Sequence, residues 1–295
     1  MAASTTTASE LTAEQVQSIL VRPLEDASQF LGAGPRIFDT DGSPVRIPKL
    51  GATGTPSWHG ENELIDEVEQ GFDEITLLPS TMKSVKVLTR YSNELARQSV
   101  IALDAALRER MVRAVADRID NAFISGDGGS PSGSEPVGIL NYPGTQEVPV
   151  SGILELDDLL DAWGLALAAD VNMSSLRWWL RPETFTALRK LKDDNERYQL
   201  QPDPTQDGVF RLFGAPVTVT HRIPTDGGQT TVVLADFSQI AVARDQSPTV
   251  KILDQTYGDY DQMAVRVTAR YDAAPMNPEA VVLLTGVDTD GATGS

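Results

Sequence analysis

The stretch "FISGDGGSPSGSEPVGILN", Phe123–Asn141, joins the strongest helical pattern of the chain to a segment rich in turn-forming residues. A phosphate-binding loop would end in Gly-Lys-Ser/Thr, but residues 124–140 contain no lysine or arginine. A serine-hydrolase turn requires Gly-x-Ser-x-Gly, and Pro131 occupies the nucleophile position of Gly129–Gly133. The pattern therefore predicts a helix that ends at Gly126 and continues into a structural connector.

An apolar residue at every fourth position precedes this loop and predicts one long helix over Leu95–Phe123. A helix of this length spans about 37 Å. Arginines lie between the apolar positions, so one face is expected to pack against a sheet while the other faces solvent. The apolar positions are Leu103, Leu107, Met111, Val115, Ile119 and Phe123.

The bulk composition narrows the class of protein. The chain has 295 residues, 41% of them hydrophobic, which is enough for a sizeable core in one or two domains. Its formal net charge of −18 argues against a nucleic-acid clamp, which needs a basic face. With no cysteine, the chain has neither a disulfide framework nor a thiolate zinc site. No apolar run approaches the roughly 20 residues of a membrane span, and the first ten residues do not resemble a signal peptide.

The remaining patterns alternate between strand and helix without a regular βαβ repeat, so they predict an α+β fold. Residues 32–60 are rich in Gly and Pro, and only Val45–Leu50 is predicted there as a strand. Helices are predicted at Leu156–Ala169 and from Pro182. Further strands are predicted at Lys83–Tyr91, Leu176–Leu180, Pro216–Thr220, Thr231–Leu234, Ile240–Ala243, Val250–Leu253, Met263–Tyr271 and Ala280–Leu284.

Candidate chemical groups are few. His59 and His221 both lie in turn-like contexts without further ligands at metal-binding spacing. The Asp-Gly sequences after Asp39 and Asp288 resemble the start of a calcium loop but do not continue as one, so turns explain them. The adjacent Trp178 and Trp179 could stack a ligand, although such pairs more often divide between core and interface. These residues predict no catalytic, cofactor-binding or metal site.

Four stretches, taken together, resemble the Hong Kong 97-type major capsid proteins of tailed bacteriophages. The first is the long helix with the glycine-rich loop quoted above. The others are "WWLRPETFTALRKLKDDNERYQL", "LFGAPVTVTHRIP", and the closing block "VLADFSQIAVARDQSPTVKI…VRVTARYDAAPMNPEAVVLLTG". Their order and spacing match the family over roughly Val21–Gly286.

The resemblance implies a Hong Kong 97-like arrangement with four parts. Residues 1–44 would form an N-terminal arm, and residues 45–90 an extended E-loop. Residues 91–135 and 244–295 would form a peripheral domain built on a long spine helix, and residues 136–243 an axial domain. The glycine-rich loop would be the connector through which the chain leaves the spine helix.

The resemblance also implies a function. The chain would be a major capsid protein, not an enzyme, that self-assembles into an icosahedral shell of hexamers and pentamers around double-stranded DNA without sequence-specific contact. Scaffold and portal proteins would be its other partners. It would be assembled in the host cytoplasm, reside in the virion, and need no cofactor, metal or membrane. Two alternatives stay open, an encapsulin-type compartment shell and, from another class, an acidic α+β hydrolase.

Charge patterning predicts one contact between subunits. Residues 61–74 carry a net charge of −7, whereas residues 83–118 carry +4. In the family the E-loop reaches over a neighbouring subunit near its spine helix, so the acidic tip of one chain is expected to meet the arginines of the next. The candidate residues are Glu61, Glu63, Glu67, Glu69, Arg108, Arg110 and Arg113.

The resemblance further predicts that the shell is not covalently cross-linked. Some family members join an E-loop lysine to an asparagine of a neighbour with the help of a glutamate. Here residues 51–82 contain no lysine. Asp261 or Gln262 stands where the asparagine would lie, and Thr268 is near the glutamate position.

Overall fold

The structure is a computed structural model of the chain. It describes residues 27–41, 43–53, 70–77, 83–92, 94, 103–129, 133–169, 171–192, 198, 200, 210–245, 249–253 and 258–289. Four α-helices lie in these ranges. They are α1 (Gln29–Gly32), α2 (Leu103–Ser125), α3 (Leu156–Ala168) and α4 (Pro182–Arg189).

The described part of the chain also contains fourteen strands, so the predicted α+β class is confirmed. The strands of the first half are β1 (Arg36–Thr40), β2 (Val45–Thr53), β3 (Gln70–Leu77), β4 (Ser84–Ser92), β5 (Gln146–Gly152), β6 (Leu176–Leu180) and β7 (Arg211–Leu212). The strands of the second half are β8 (Ala215–Val219), β9 (Thr225–Asp226), β10 (Gln229–Asp236), β11 (Ile240–Asp245), β12 (Thr249–Leu253), β13 (Gln262–Pro275) and β14 (Val281–Asp288).

These strands form three sheets. A five-stranded sheet has the order β1-β11-β13-β12, with β4 also paired to β13. A seven-stranded sheet has the order β5-β14-β10-β6-β8-β7, with β9 paired to β10. The hairpin β2–β3 forms a separate two-stranded sheet. Both large sheets are mixed, because β1 runs parallel to β11 and β5 parallel to β14 among otherwise mainly antiparallel pairs.

Two large hydrophobic clusters lie on either side of β6. One cluster contains Trp179 and the apolar face of α2, together with the inner side of the five-stranded sheet. The other contains Trp178 and packs α3 and α4 against the seven-stranded sheet. Because successive side chains of a strand point to opposite faces, the Trp-Trp pair divides between the two clusters.

The periodic patterns are confirmed where the structure describes them. Met111, Val115, Ile119 and Phe123 are buried along α2. The alternation predicted for β4 and β13 is present, and between residues 265 and 270 of β13 the odd-numbered positions are buried while the even-numbered ones are exposed or half-buried. The helix ends at Ser125 as predicted, whereas residues 95–102 of the predicted helix lie outside the described residues.

Five strands were not predicted, namely the two-residue strands β7 and β9 and three longer ones. β1 falls in the Gly- and Pro-rich segment, and β3 overlaps a segment characterised as acidic. β5 contains Pro149 and lies at the edge of its sheet, which is where a strand tolerates proline. In β1, β3 and β5 the local sequence does not indicate a strand, and pairing with a neighbouring strand stabilises the extended conformation.

The base of the β2–β3 hairpin is anchored to the five-stranded sheet. Leu77 is buried with Ala243 and Ala274 in a third, smaller cluster, which Val45 and Ile47 also contact. Toward its other end the ladder continues to the pair Thr53–Gln70. The hairpin therefore extends from the sheet and pairs with no third strand among the described residues.

The last strand, β14, lies inside the seven-stranded sheet. β14 pairs antiparallel with β10 and parallel with β5, so it is a central strand of the seven-stranded sheet. The resemblance places residues 244–295, and with them β14, in the peripheral domain. The division of the chain into four parts stays a prediction.

Candidate functional site

The glycine-rich loop folds back on the end of α2. The amides of Gly138, Ile139 and Leu140 donate to the carbonyl oxygens of Gly126 (2.9 Å), Phe123 (2.9 Å) and Ile124 (3.1 Å), respectively. The last carbonyls of a helix have no partner within the helix, and these hydrogen bonds satisfy them. The loop is therefore a cap and a connector, in agreement with the sequence prediction.

Asn141 completes this cap. Its side-chain nitrogen donates to the carbonyl oxygens of Ser125 (3.1 Å) and Gly126 (3.0 Å). Glycine is required where the two chain segments cross, since a Cβ on Gly138 would lie 2.6 Å from the backbone of Ile124. The Gly-hydrophobic-hydrophobic-Asn sequence thus has a local structural cause.

The predicted contact residues on α2 are only partly described. Arg110 and Arg113 are exposed, and Arg113 forms an ion pair of 2.7 Å with Glu109, one helical turn earlier. The side chain of Arg108 lies outside the described residues, as do Glu61, Glu63, Glu67 and Glu69. The predicted contact between the acidic tip and these arginines stays a prediction.

A buried carboxylate, Asp120 of α2, connects this helix to α1. The Ser28 hydroxyl and the amides of Gln29 (2.9 Å) and Phe30 (3.3 Å) donate to it, and Arg222 lies 3.6 Å away. Burial raises the pKa of Asp120 above its ordinary value of 3.8, while the Ser28 and Gln29 hydrogen bonds and the Arg222 charge act in the opposite direction. The sequence analysis missed this group, whose one signal is that it shares a helix face with buried apolar residues three and four positions away.

A cleft of about 310 Å³ lies between the base of the hairpin and β13. Within it Lys83 donates to both carboxylate oxygens of Asp272, at 2.9 and 3.0 Å. The two side chains are 16% and 2% exposed, respectively. Burial, and the charge of Asp272, raise the pKa of nearby Tyr142. Lys83 and Asp272 pair with each other at the floor of the cleft, so their ion pair connects the base of the hairpin to β13.

The remaining candidate groups have structural roles or lie outside the described residues. Asp39 is part of β1 and forms a two-point ion pair with Arg244 (2.7 and 3.0 Å), whereas Asp41 lies in the bend that follows β1, as expected of a turn. Trp178 and Trp179 are fully buried, so neither the ligand-stacking nor the interface reading holds for them. His221 is exposed and His59 is not described.

No cluster of three or more potential metal-binding side chains occurs among the described residues. In the same part of the chain, no helix is both long and apolar enough to cross a membrane.

Comparison with known proteins agrees with this geometry. Residues 9–286 match the Phage capsid family. The major capsid protein of Klebsiella oxytoca phage phiKO2 is 26% identical over 298 residues, which cover 93% of this chain and 67% of that protein. The capsid polyprotein of Pseudomonas phage PAJU2 is 30% identical over 241 residues, which cover 80% of this chain and 33% of the polyprotein. The chain thus spans about two thirds of the one relative and one third of the other.

Solved structures show the same fold. The capsid of the native GTA particle superposes with a TM-score of 0.71 at 17% identity, over 97% of this chain and 94% of that chain. A chain from Mycobacterium phage Adephagia superposes with a TM-score of 0.69 at 16% identity, over 88% and 89% of the two chains. The predicted capsid-shell fold is thereby confirmed.

The fold and these matches define a capsid subunit, and the chain belongs to the Phage capsid family. The function that the family, the relatives and the fold support together is that of a major capsid protein of a tailed phage, which is a component of the virion. The encapsulin alternative is not favoured. Membership of a structural-protein family favours the prediction that the chain is not an enzyme.

Proposed function

We propose that the chain self-assembles into the icosahedral head shell of a tailed phage, as hexamers and pentamers that enclose double-stranded DNA. One observation carries this proposal. The β2–β3 hairpin pairs with no third strand among the described residues. An isolated two-stranded hairpin is marginally stable in water, so a neighbouring subunit is expected to cover it.

The proposed shell uses the four parts that the sequence predicts. Residues 1–44 form the arm, residues 45–90 the E-loop, residues 91–135 and 244–295 the peripheral domain, and residues 136–243 the axial domain. The two clusters on either side of β6 support a two-domain division, with α2 in one and α3 and α4 in the other. β14 of the proposed peripheral range pairs with β5 and β10 of the proposed axial range, so the two domains would share the seven-stranded sheet.

The proposed partners follow from the same role. The chain binds copies of itself, a portal protein at one vertex and scaffold protein during assembly in the host cytoplasm. Packaged DNA contacts it without sequence recognition. The net charge of −18 supports this last point, because an acidic wall releases few DNA counterions and so does not hold the packaged duplex.

Negative-stain microscopy of the purified protein tests the proposal. We expect closed particles of uniform size, or rings of the size of capsomers under conditions that dissociate shells. Particles that are open sheets or irregular aggregates at every salt concentration would contradict the proposal.

A further inference from the structure

An exposed apolar surface lies on helix α3. It consists of Leu160, Trp163 and Leu167 of α3 together with Phe213 of the turn between β7 and β8, and we call it the apolar ridge. Leu160, Leu167 and Phe213 are 48%, 44% and 40% exposed, and Trp163 is half-buried. The ring centroids of Trp163 and Phe213 are 6.4 Å apart, so the turn and the helix contribute to one surface.

The apolar ridge is a second apolar face of α3. The first face, formed by Leu159, Ala162 and Ala166, is buried in the cluster that packs α3 against the seven-stranded sheet. Residues 160, 163 and 167 follow the spacing of three and four that places side chains on one side of a helix, here over two turns. A surface helix needs only one such face to pack on its own core, so folding of the single subunit does not explain the ridge.

Two residues of this surface lower the stability of the free subunit. Gly164 lies in the exposed middle of α3 with open space around it, where alanine would stabilise the helix. Phe213 has a φ of 49°, a conformation that bulky residues rarely adopt and that hairpin turns usually give to Asn or Gly. Gly164 allows the backbone of a partner to come close, and the turn presents the Phe213 ring beside Trp163. Both residues therefore favour a contact at the ridge.

The charge next to the ridge is negative. Residues 119–176 contain no lysine or arginine. Asp157 and Asp161 are exposed along one side of the ridge. Arg211 of β7 donates to the carbonyl oxygen of Gly214 at 3.4 Å, within its own turn. The ridge thus offers an apolar stripe with carboxylates beside it, which selects a cationic partner and repels a nucleic acid.

The described helices of a second copy do not fit this requirement. A second α3 would bring carboxylates against carboxylates. α2 has four acids and four bases, and its apolar face is buried in its own core. α4 has one acid and one base, and its Leu188 is buried. Within the described ranges, no helix combines a free apolar face with a net positive charge.

We propose that the apolar ridge binds an amphipathic helix of a protein other than this chain, with lysine or arginine beside its apolar face. Helices that dock on such surfaces use anchors at the same spacing of three, four and seven residues. The bound helix would cover Leu160 and Leu167, cross α3 near Gly164, and place its cations beside Asp157 and Asp161. The inference goes beyond the proposed shell and does not depend on it, because the ridge belongs to the single subunit.

Peptide binding to the purified protein tests the proposal. The probe is a fluorescein-labelled peptide of leucine and lysine, about 18 residues long so that it can form a helix, with all leucines on one side. The same peptide with glutamate in place of lysine is the control. Fluorescence anisotropy should show binding of the lysine peptide, and binding of the glutamate peptide should be at least about tenfold weaker. Binding of the lysine peptide should weaken as the salt concentration rises.

Double variants locate the bound peptide. L160Q/L167Q removes exposed apolar surface from the ridge and should weaken binding of the lysine peptide roughly tenfold or more. D157N/D161N should weaken binding and also reduce its salt dependence. I37Q/L88Q is the matched control, because Ile37 and Leu88 are similarly exposed apolar residues outside α3, and it should bind as the wild type does. All these side chains are exposed, and thermal unfolding checks that each variant is folded.

Three results would overturn the proposal. The first is that the wild type binds neither peptide, or binds both equally, which would show no selection for a cationic partner. The second is unchanged binding to L160Q/L167Q, or an equal loss in I37Q/L88Q, which would place the peptide elsewhere. The third is a loss of shell formation in L160Q/L167Q while wild-type shells bind no peptide, which would place the ridge between copies of this chain. Failure of the wild type to form any shell would instead contradict only the proposed function.

Discussion

Trp178 and Trp179 are neighbours in sequence but lie in separate hydrophobic clusters on opposite faces of β6. The indole nitrogen of Trp178 donates to the carbonyl oxygen of Leu212 at 3.2 Å. The indole nitrogen of Trp179 is buried and has no hydrogen-bond partner among the described residues, while its ring stacks on Phe237 at 5.2 Å. The two neighbouring tryptophans thus pack into different clusters. Within the described part of the chain, the indole nitrogen of Trp178 has a hydrogen bond and that of Trp179 has none.

This difference predicts unequal effects of two matched substitutions. W178F leaves the Leu212 carbonyl oxygen buried without its donor, whereas W179F removes an unpaired N–H. Both lose the same volume, so W178F should lower the free energy of unfolding by about 1–2 kcal/mol more than W179F. Urea unfolding of unassembled subunits measures both values. Equal destabilisation would show that the Trp178 hydrogen bond has no net effect.

The crossing of the glycine-rich loop over α2 predicts the effect of adding one methyl group. A Cβ on Gly138 would lie 2.6 Å from the Gly126 nitrogen, and the backbone there cannot move without breaking the helix cap. G138A should therefore destabilise the subunit by about 1–3 kcal/mol. G164A is the control, because Gly164 is on the exposed side of α3 with open space around it, and this variant should gain up to about 1 kcal/mol. Thermal unfolding of the two variants should shift in opposite directions, and a neutral G138A would contradict the close crossing.

The raised pKa of Asp120 predicts a pH dependence of stability. Between the ordinary value of 3.8 and its raised value in the folded chain, Asp120 is protonated in the folded state but not in the unfolded state. The contribution of Asp120 to the free energy of unfolding therefore increases as the pH falls through this range, and it is lost as the pH rises through the raised pKa. D120N should lack this contribution. The difference in unfolding free energy between wild type and D120N, measured at several pH values, should change in this range, and a constant difference would contradict the assignment.

The cross-link prediction concerns the assembled particle. Lys83, at the base of the hairpin, donates to Asp272 of its own chain. Residues 51–82 offer no lysine to a neighbour. Boiled shells should therefore give a single monomer band on a denaturing gel. A ladder of multimers would show that a bond forms between subunits after all.

The sequence predicts the helices and strands whose hydrophobic periodicity places one face in the core. The four-residue repeat of α2 and the alternation of β13 each place one face in the core, so their periodicity is visible without a structure. The cap of α2 was predictable for the same reason, since Gly126 and the turn residues after it act locally.

Long-range pairing could not be predicted in this way. β5 is a short strand with Pro149 that exists because β14 offers it a parallel partner, and nothing within residues 146–152 indicates that partner. Asp120 also depends on contacts that are distant in sequence, since its partners lie at the start of α1 and at Arg222. Lys251 and Arg266 lie on consecutive strands, whereas Lys86 comes from β4, and only the ladders of β13 bring these three strands together.

Sedimentation velocity of the purified protein over a range of salt concentrations tests the central claim most directly. A subunit whose hairpin needs a neighbour should sediment as closed shells or as capsomers, with the balance shifting toward smaller species at high salt because ionic contacts are screened. A single species at the 31.8 kDa of the monomer, at every salt concentration, would contradict the account.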